Sequence, residues 1–432
     1  MNRLFLILLM AICLVACDNE QQPANGYIGT TQTDSETVVL KGYVDSSKGF
    51  SVFKPAGFDS PFYIQDRQFV GKAYSFVPAS EARLDEMKQI PASGWNTTAQ
   101  IIQGAAYWAR YSSLYENKYV KLRVAYIWDN EVGVEYVVEK TEARPNANSN
   151  LLSNDEAAHG FEMPRLDADN YFAAHYVNYK GVDRMNLAVE WNAELRHSNW
   201  VAFSFDAVTA EDNVSRTDAW MWDPMIPSDK GGVEEADHKS DGFDKGHICA
   251  SEDRVYSKEA NEQTFYYSNI TPQLNQFNGG FWLQLENRVR VWGRSTRSGT
   301  YDKLYVAKGG TLNHLHKNFE ASKKGMDGKV PTGDENGMTI RGLALPAYYF
   351  MALLAEKDGQ FQAMGFLLPH SVDLPAKPTF DELKAEAITI DELEEFSGLD
   401  FFCNLPDETE AAVEKETNLS YWKLKHSQHL SR

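Results

Sequence analysis

The segment DGFDKGHICASEDR, Asp241 to Arg254, holds one imidazole, His247, on a short polar stretch punctuated by glycine. A histidine has an unperturbed pKa of about 6.5 and can take a proton near neutral pH. It can also bind metal, or do neither. Further along, Asn278, Trp282, Glu286 and Arg290 stand four apart in NGGFWLQLENRVR. That set offers an amide oxygen, a carboxylate and a guanidinium. Hydrolysis of a phosphodiester needs such groups: a base for water, oxygen ligands for a hydrated divalent cation, and fixed positive charge for phosphate.

These side chains need a helix to bring them together. Each step of four residues turns about 40° at 3.6 residues per turn, so neighbours in the series share a face. Phe281, Leu285, Val289 and Trp292 recur at helical spacing and supply the buried side. Asn278 stands where an N-cap belongs, and a helix N-terminus favours anions. Capping would compete with metal binding for the same amide oxygen. Glu286 and Arg290, taken alone, also read as an i,i+4 ion pair.

The combination is more specific than its parts. Asp244-Lys245-Gly246-His247, then SNITPQ from Ser268, then Asn-x-Gly-x-Trp with a glutamate eight after the asparagine, resembles the DNA/RNA non-specific endonuclease family. Those enzymes are ββα-metal (His-Me finger) nucleases. Weaker similarity runs from about Asn199 to about Pro406. The resemblance implies an α+β nuclease domain with a mixed or antiparallel sheet. It implies His247 as the general base that activates water. Asn278 matches the direct protein ligand of Mg2+, with Mn2+ or another divalent cation as a substitute. Glu286 matches a carboxylate that holds one of the metal's waters. Arg290 and, more loosely, Arg216 in NVSRTDAWMWDP match arginines at the phosphate. Asp244 and Lys245 fall in the substrate-binding segment. DNA and RNA are the implied substrates. Two positions depart from the family pattern: Lys245 replaces the usual arginine and loses its planar fork, and Ala250 stands where proline is expected. Asn275 competes with Asn278 as a ligand, but the spacing to Trp282 and Glu286 favours Asn278. Two further readings are an inactive nucleic-acid-binding surface protein and a phosphodiesterase on small nucleotides.

Formal charge is −19, from 42 Lys+Arg against 61 Asp+Glu, which argues globally against polyanion binding. The segment from Asp244 to Lys303 nevertheless carries 7 acids and 8 bases, so the charge does not exclude a phosphate substrate there. The acids concentrate near the C-terminal end, and the run Asp391 to Glu395 reads as a solvated helix face.

The N-terminus, MNRLFLILLMAICLVAC, has Arg3 and then an apolar run from Leu4 to Val15. That run is too short to span a bilayer and has the form of a signal peptide. Leu14-Val15-Ala16-Cys17 resembles a bacterial lipobox. This reading makes Cys17 the lipidation site and the membrane a partner through the anchor. It places the protein in the cell envelope, at the outer membrane or cell surface. In an exported chain Cys249 and Cys403 remain, and an oxidising compartment favours a disulfide between them.

The expected organisation has six parts: a signal peptide over 1–17, a tether over 18–36, a β-rich accessory domain over 37–145, a linker over 146–160, the nuclease domain over 161–416 and a polar tail over 417–432. A helical patch is expected near Ala99 to Tyr115. His314 and His316 form an H-x-H with no completing ligands nearby, and read as loop histidines.

Overall fold

The strands Lys303–Gly310 and Tyr348–Lys357 are apolar along almost their whole length, and both of their faces are covered. They lie at the middle of a seven-stranded antiparallel sheet in a computed structural model of the chain. The structure describes residues 61–143 and 146–422, less 72, 113–115, 129–130 and 322–329. Before residue 61 it describes only 27–28, 36–41, 52–53 and 58. The signal peptide, Cys17 and most of the tether lie outside the described residues. The chain divides into two units, Met1–Arg144 and Pro145–Arg432.

The first unit is β-rich. One antiparallel sheet runs Glu36–Lys41, Glu131–Ala143, Glu116–Trp128, Ala106–Ser112, Tyr74–Pro78. The expected helical patch near Ala99 to Tyr115 is instead two strands, Thr98–Gln100 and Ala106–Ser112. The reason is burial on both faces. Tyr107 joins a core with Phe62, Phe69 and Leu122, while its neighbour Trp108 packs with Met87 on the other side. A strand buried on both faces loses its polar alternation and cannot be told from a buried helix by period alone.

The second unit builds three layers around the seven-stranded sheet. The sheet runs Tyr171–Tyr179, Val182–Asn192, His197–Phe205, Lys303–Gly310, Tyr348–Lys357, Gln360–Pro369, Ala387–Ile388. Adjacent strand residues point to opposite faces. Tyr349 packs on Trp282 (ring centroids 5.5 Å), under the helical stretch 275–294. Phe350 packs on Phe401 (5.5 Å), and Tyr348 packs on Phe396 (4.8 Å), on the other side. That second face carries helices Ile390–Ser397 and Asp407–Glu414. Gly293 lets helix Leu283–Arg294 close on the sheet, because a Cβ there would overlap the Phe205 ring.

Two expected boundaries shift. Residues 146–160 are bound to the second unit: Asn146 donates to the Leu405 carbonyl (2.9 Å), and the Asn150 amide donates to Asn404 Oδ1 (2.9 Å). Their asparagines serve tertiary hydrogen bonds rather than solvation. The tail contributes Trp422, fully buried, whose carbonyl accepts from Trp292 Nε1 (2.9 Å). Among the described residues no helix is long and apolar enough to cross a membrane.

Cys249 and Cys403 are both free and buried. The expected disulfide is therefore absent. Cys249 follows strand Asp244–His247, whereas Cys403 contacts the Met163 carbonyl (3.7 Å). Burial pushes the Cys249 thiol up to about 12 and raises Cys403 as well, so both are inert thiols.

Candidate active site

Strand Asp244–His247 pairs antiparallel with strand Ile270–Gln273, setting His247 opposite Ile270 and Gly246 opposite Thr271. Gly246 is required there, since a Cβ would overlap the Gln273 side chain. Asn269, fully buried, fixes the exit of the ribbon. Its Oδ1 accepts from the Cys249 amide (2.8 Å), and its Nδ2 donates to the Cys249 and Thr264 carbonyls (2.9 and 2.7 Å). The sequence motif SNITPQ thus carries a structural tie that a search for chemistry passes over.

The helical stretch after the ribbon starts earlier than its spacing suggests. Residues 275–294 run as a helical turn (Asn275–Phe277), a wide turn (Asn278–Trp282) kinked at Gly280, and the regular helix Leu283–Arg294. Asn278 is therefore helical and not an N-cap. Its Nδ2 donates instead to Asp244 Oδ2 (3.0 Å). Asn275 Nδ2 donates to the same carboxylate oxygen (3.1 Å). Asp244 is the anchor that ties this helix to the ribbon, with its charge engaged by two amides.

His247 lies among aromatic rings and positive charge. Phe265 meets its ring edge-on (4.9 Å), and Trp220 lies 5.4 Å away. Its Nε2 is enclosed and has no hydrogen-bond partner among the described residues. Burial first, and then the charges of Arg216, Lys308 and Lys245, push its pKa down to about 3. The imidazole is accordingly neutral at neutral pH, the form a base requires.

The cations around it are held in different ways. Lys245 Nζ sits 3.6 Å from the Trp220 ring centroid, a close cation–π contact, and burial lowers its pKa. Arg216 is exposed, with Nε donating to Asp218 (2.7 Å) and Nη1 donating to Ser251 Oγ (3.2 Å). Arg290 is engaged more deeply. Its Nε donates to the buried Asp253 (2.8 Å), and Nη1 donates to Asn287 (2.7 Å). Arg290 forms no ion pair with Glu286. The structure gathers His247, Lys245 and Arg216 together, and sets Arg290 in a buried pair beside them.

Glu286 is buried and takes a partner that sequence spacing does not reveal. Lys308, fully buried on the central strand, donates to its Oε1 at 2.8 Å. Burial raises the Glu286 pKa, and Lys308 opposes that rise. The signal for Lys308 in sequence is a lone lysine inside the apolar run LYVAKGG.

His314 stacks on Phe396 (4.4 Å), and His316 Nε2 contacts the His370 carbonyl (2.8 Å). Neither His314 nor His316 belongs to a group of potential metal ligands among the described residues.

An antiparallel ribbon bearing a neutral histidine, followed by a helix bearing Asn278 and Glu286, is the ββα-metal arrangement. A profile described as DNA/RNA non-specific endonuclease matches residues 172–408, more than half of the chain. The chain belongs to that family. It is similar to Nuclease C1 of Cunninghamella echinulata var. echinulata, 26% identical over 229 residues, spanning 52% of this chain and 83% of that protein. It is similar to a nuclease of Nostoc sp., 24% identical over 281 residues, spanning 64% of this chain and 89% of the other. A chain in the crystal structure of an EndoG/EndoGI complex aligns at TM-score 0.41 and 21% identity, over 55% of this chain and 89% of that one.

As a member of the DNA/RNA non-specific endonuclease family, the protein is a phosphodiester hydrolase of a divalent-metal-dependent class. The residues present fit such an ion. The amide hydrogens of Asn278 point to Asp244, which leaves its Oδ1 as the outward donor. Glu286 has one oxygen on Lys308 and a second for a bound water. One amide oxygen and one carboxylate suit a hard ion that keeps most of its waters.

Proposed function

We propose that this protein is an Mg2+-dependent endonuclease that cuts DNA and RNA without sequence preference, with His247 as general base. The observation that carries this reading is the His247 imidazole: neutral, unpartnered at Nε2, and set beside Arg216, Lys245 and Lys308. A neutral imidazole takes the proton of the attacking water. Lys245 and Arg216 hold the phosphate and offset its growing charge. Asn278, with Glu286 through water, would hold the magnesium ion, which supplies Lewis-acid stabilisation of the leaving oxygen. Lys308 keeps the Glu286 carboxylate in place.

The N-terminal motif supports export and lipid anchoring at Cys17, which would place the nuclease in the cell envelope. A Cys17→Ser chain recovered in the membrane fraction like the parent would count against the anchor.

The activity is tested with supercoiled plasmid and a long RNA, each with magnesium and with chelator. Cutting of both polymers that stops in chelator supports the proposal. Cutting that persists in chelator, or no cutting with the metal, overturns it. A dinucleotide assayed alongside separates polymer cleavage from small-nucleotide hydrolysis.

A further inference from the structure

A second group of carboxylates lies on the opposite face of the sheet from the ribbon. Asp391 and Glu394 sit three apart on helix Ile390–Ser397, and Glu414 ends helix Asp407–Glu414. One oxygen from each lies within 4.8 Å of the other two. The sequence reads the Asp391 to Glu395 run as a solvated face, and Asp391 is exposed. Glu414 is not. It is only 7% exposed, and its Oε1 has no hydrogen-bond partner among the described residues.

A buried, unpartnered carboxylate oxygen costs several kcal/mol unless it is protonated or meets a cation. Its acidic neighbours are provided for differently. Asn148 Nδ2 donates to Asp400 (3.0 Å) and to Glu410 (2.9 Å), and Glu394 Oε1 accepts from the Phe401 amide (2.7 Å). Among the described residues no lysine or arginine forms an ion pair with Asp391, Glu394 or Glu414.

We propose that Asp391, Glu394 and Glu414 form a calcium site that fastens helix Asp407–Glu414 to helix Ile390–Ser397. The donor set is all oxygen and all carboxylate, which selects a hard cation. Ligand number selects calcium: its shell takes several carboxylates in flexible geometry, whereas magnesium keeps most of its waters and binds through one or two carboxylates. Asp391 gives the site a solvent-facing mouth through which water completes the shell. Asp391 and Glu394 lie inside the family match, which ends at residue 408, and Glu414 lies beyond it.

The test uses the full chain, stripped with chelator and titrated with calcium chloride alone by calorimetry at pH 7. Asn278→Ala removes the contribution of the catalytic site. One calcium site is expected in the parent and is retained in Asn278→Ala. Glu414→Gln should abolish it, and Asp391→Asn, at an exposed position, should weaken it about tenfold with nuclease activity unchanged. The proposal is overturned if Asn278→Ala abolishes the binding, or if neither carboxylate variant changes it. It is also overturned if magnesium competes on equal terms, or if no calcium binds.

Discussion

Lys308 Nζ lies 2.8 Å from Glu286 Oε1, and the lysine side chain is fully enclosed. The central sheet thus reaches through its own core to fix a carboxylate of helix Leu283–Arg294. Removing one partner of a buried pair leaves the other charge uncompensated, at a cost of about 3–5 kcal/mol. Lys308→Met is expected to lose about that much stability in a denaturant titration. A loss below about 1 kcal/mol, the range of an exposed pair, would show that the pair carries little of the packing.

The two arginines should fail differently. Arg290 neutralises the buried Asp253, so Arg290→Ala should lower the melting temperature together with activity. Arg216 is exposed and bonded to Asp218 and Ser251, so Arg216→Ala should lower kcat/KM with an unchanged melting temperature. Thermal melts of both variants beside their kinetics check this. Equal destabilisation by both would contradict it.

Trp220 is the platform on which Lys245 rests. A desolvated cation–π contact contributes about 1–2 kcal/mol. Trp220→Ala is expected to lower kcat/KM about tenfold, mostly through KM, because a freed lysine positions phosphate less well. Trp220→Phe should recover most of it. A kcat-only effect that phenylalanine does not rescue would point to another role.

As the proposed general base, His247 must be unprotonated. Its pKa in the free protein is pushed down to about 3, so activity should fall only as pH drops well below the ordinary 6.5. The acid limb of kcat/KM for cleavage, measured from pH 4 to 8, should lie under pH 6. A limb centred at 6.5 or above would mean that the site does not hold the imidazole as described.

In chelator, the raised carboxylates Glu394 and Glu414 set another pH dependence. A folded-state pKa above the unfolded value favours folding at low pH, and that benefit is lost as pH rises through about 8 to 9. Asp391, Asp400 and Glu410 face the same group and add to the repulsion. The melting temperature without metal should fall from about pH 5 to about pH 9, between the ordinary glutamate value and the raised ones, and Glu414→Gln should flatten that fall. A melting temperature that rises over this range would contradict the assignment.

The candidate site's placement was legible where its residues are local in sequence. Asp244 to His247 lie on one strand, so spacing reports their geometry, whereas Asn278 and Glu286 stand on either side of the kink at Gly280. What was not legible depends on tertiary contact. Asp244 reads as substrate-binding until its two asparagine partners are seen. Arg290 reads as a phosphate ligand until Asp253, from a distant turn, takes it up. Lys308 pairs across layers, and the only trace of that in sequence is a charge within an apolar run. The fold behaves likewise. Strand Ala106–Ser112 escaped recognition because both its faces are buried, and a disulfide inferred from cysteine arithmetic assumes a proximity that only the fold decides.

The most direct measurement compares plasmid nicking by the parent and by His247→Ala, in saturating magnesium at neutral pH, with a melt to confirm that the variant is folded. General-base catalysis contributes about 10²–10⁴-fold. A folded variant slowed by at least about a hundredfold is the predicted result. A folded variant that cuts within a few-fold of the parent would contradict the assignment of His247 as the base.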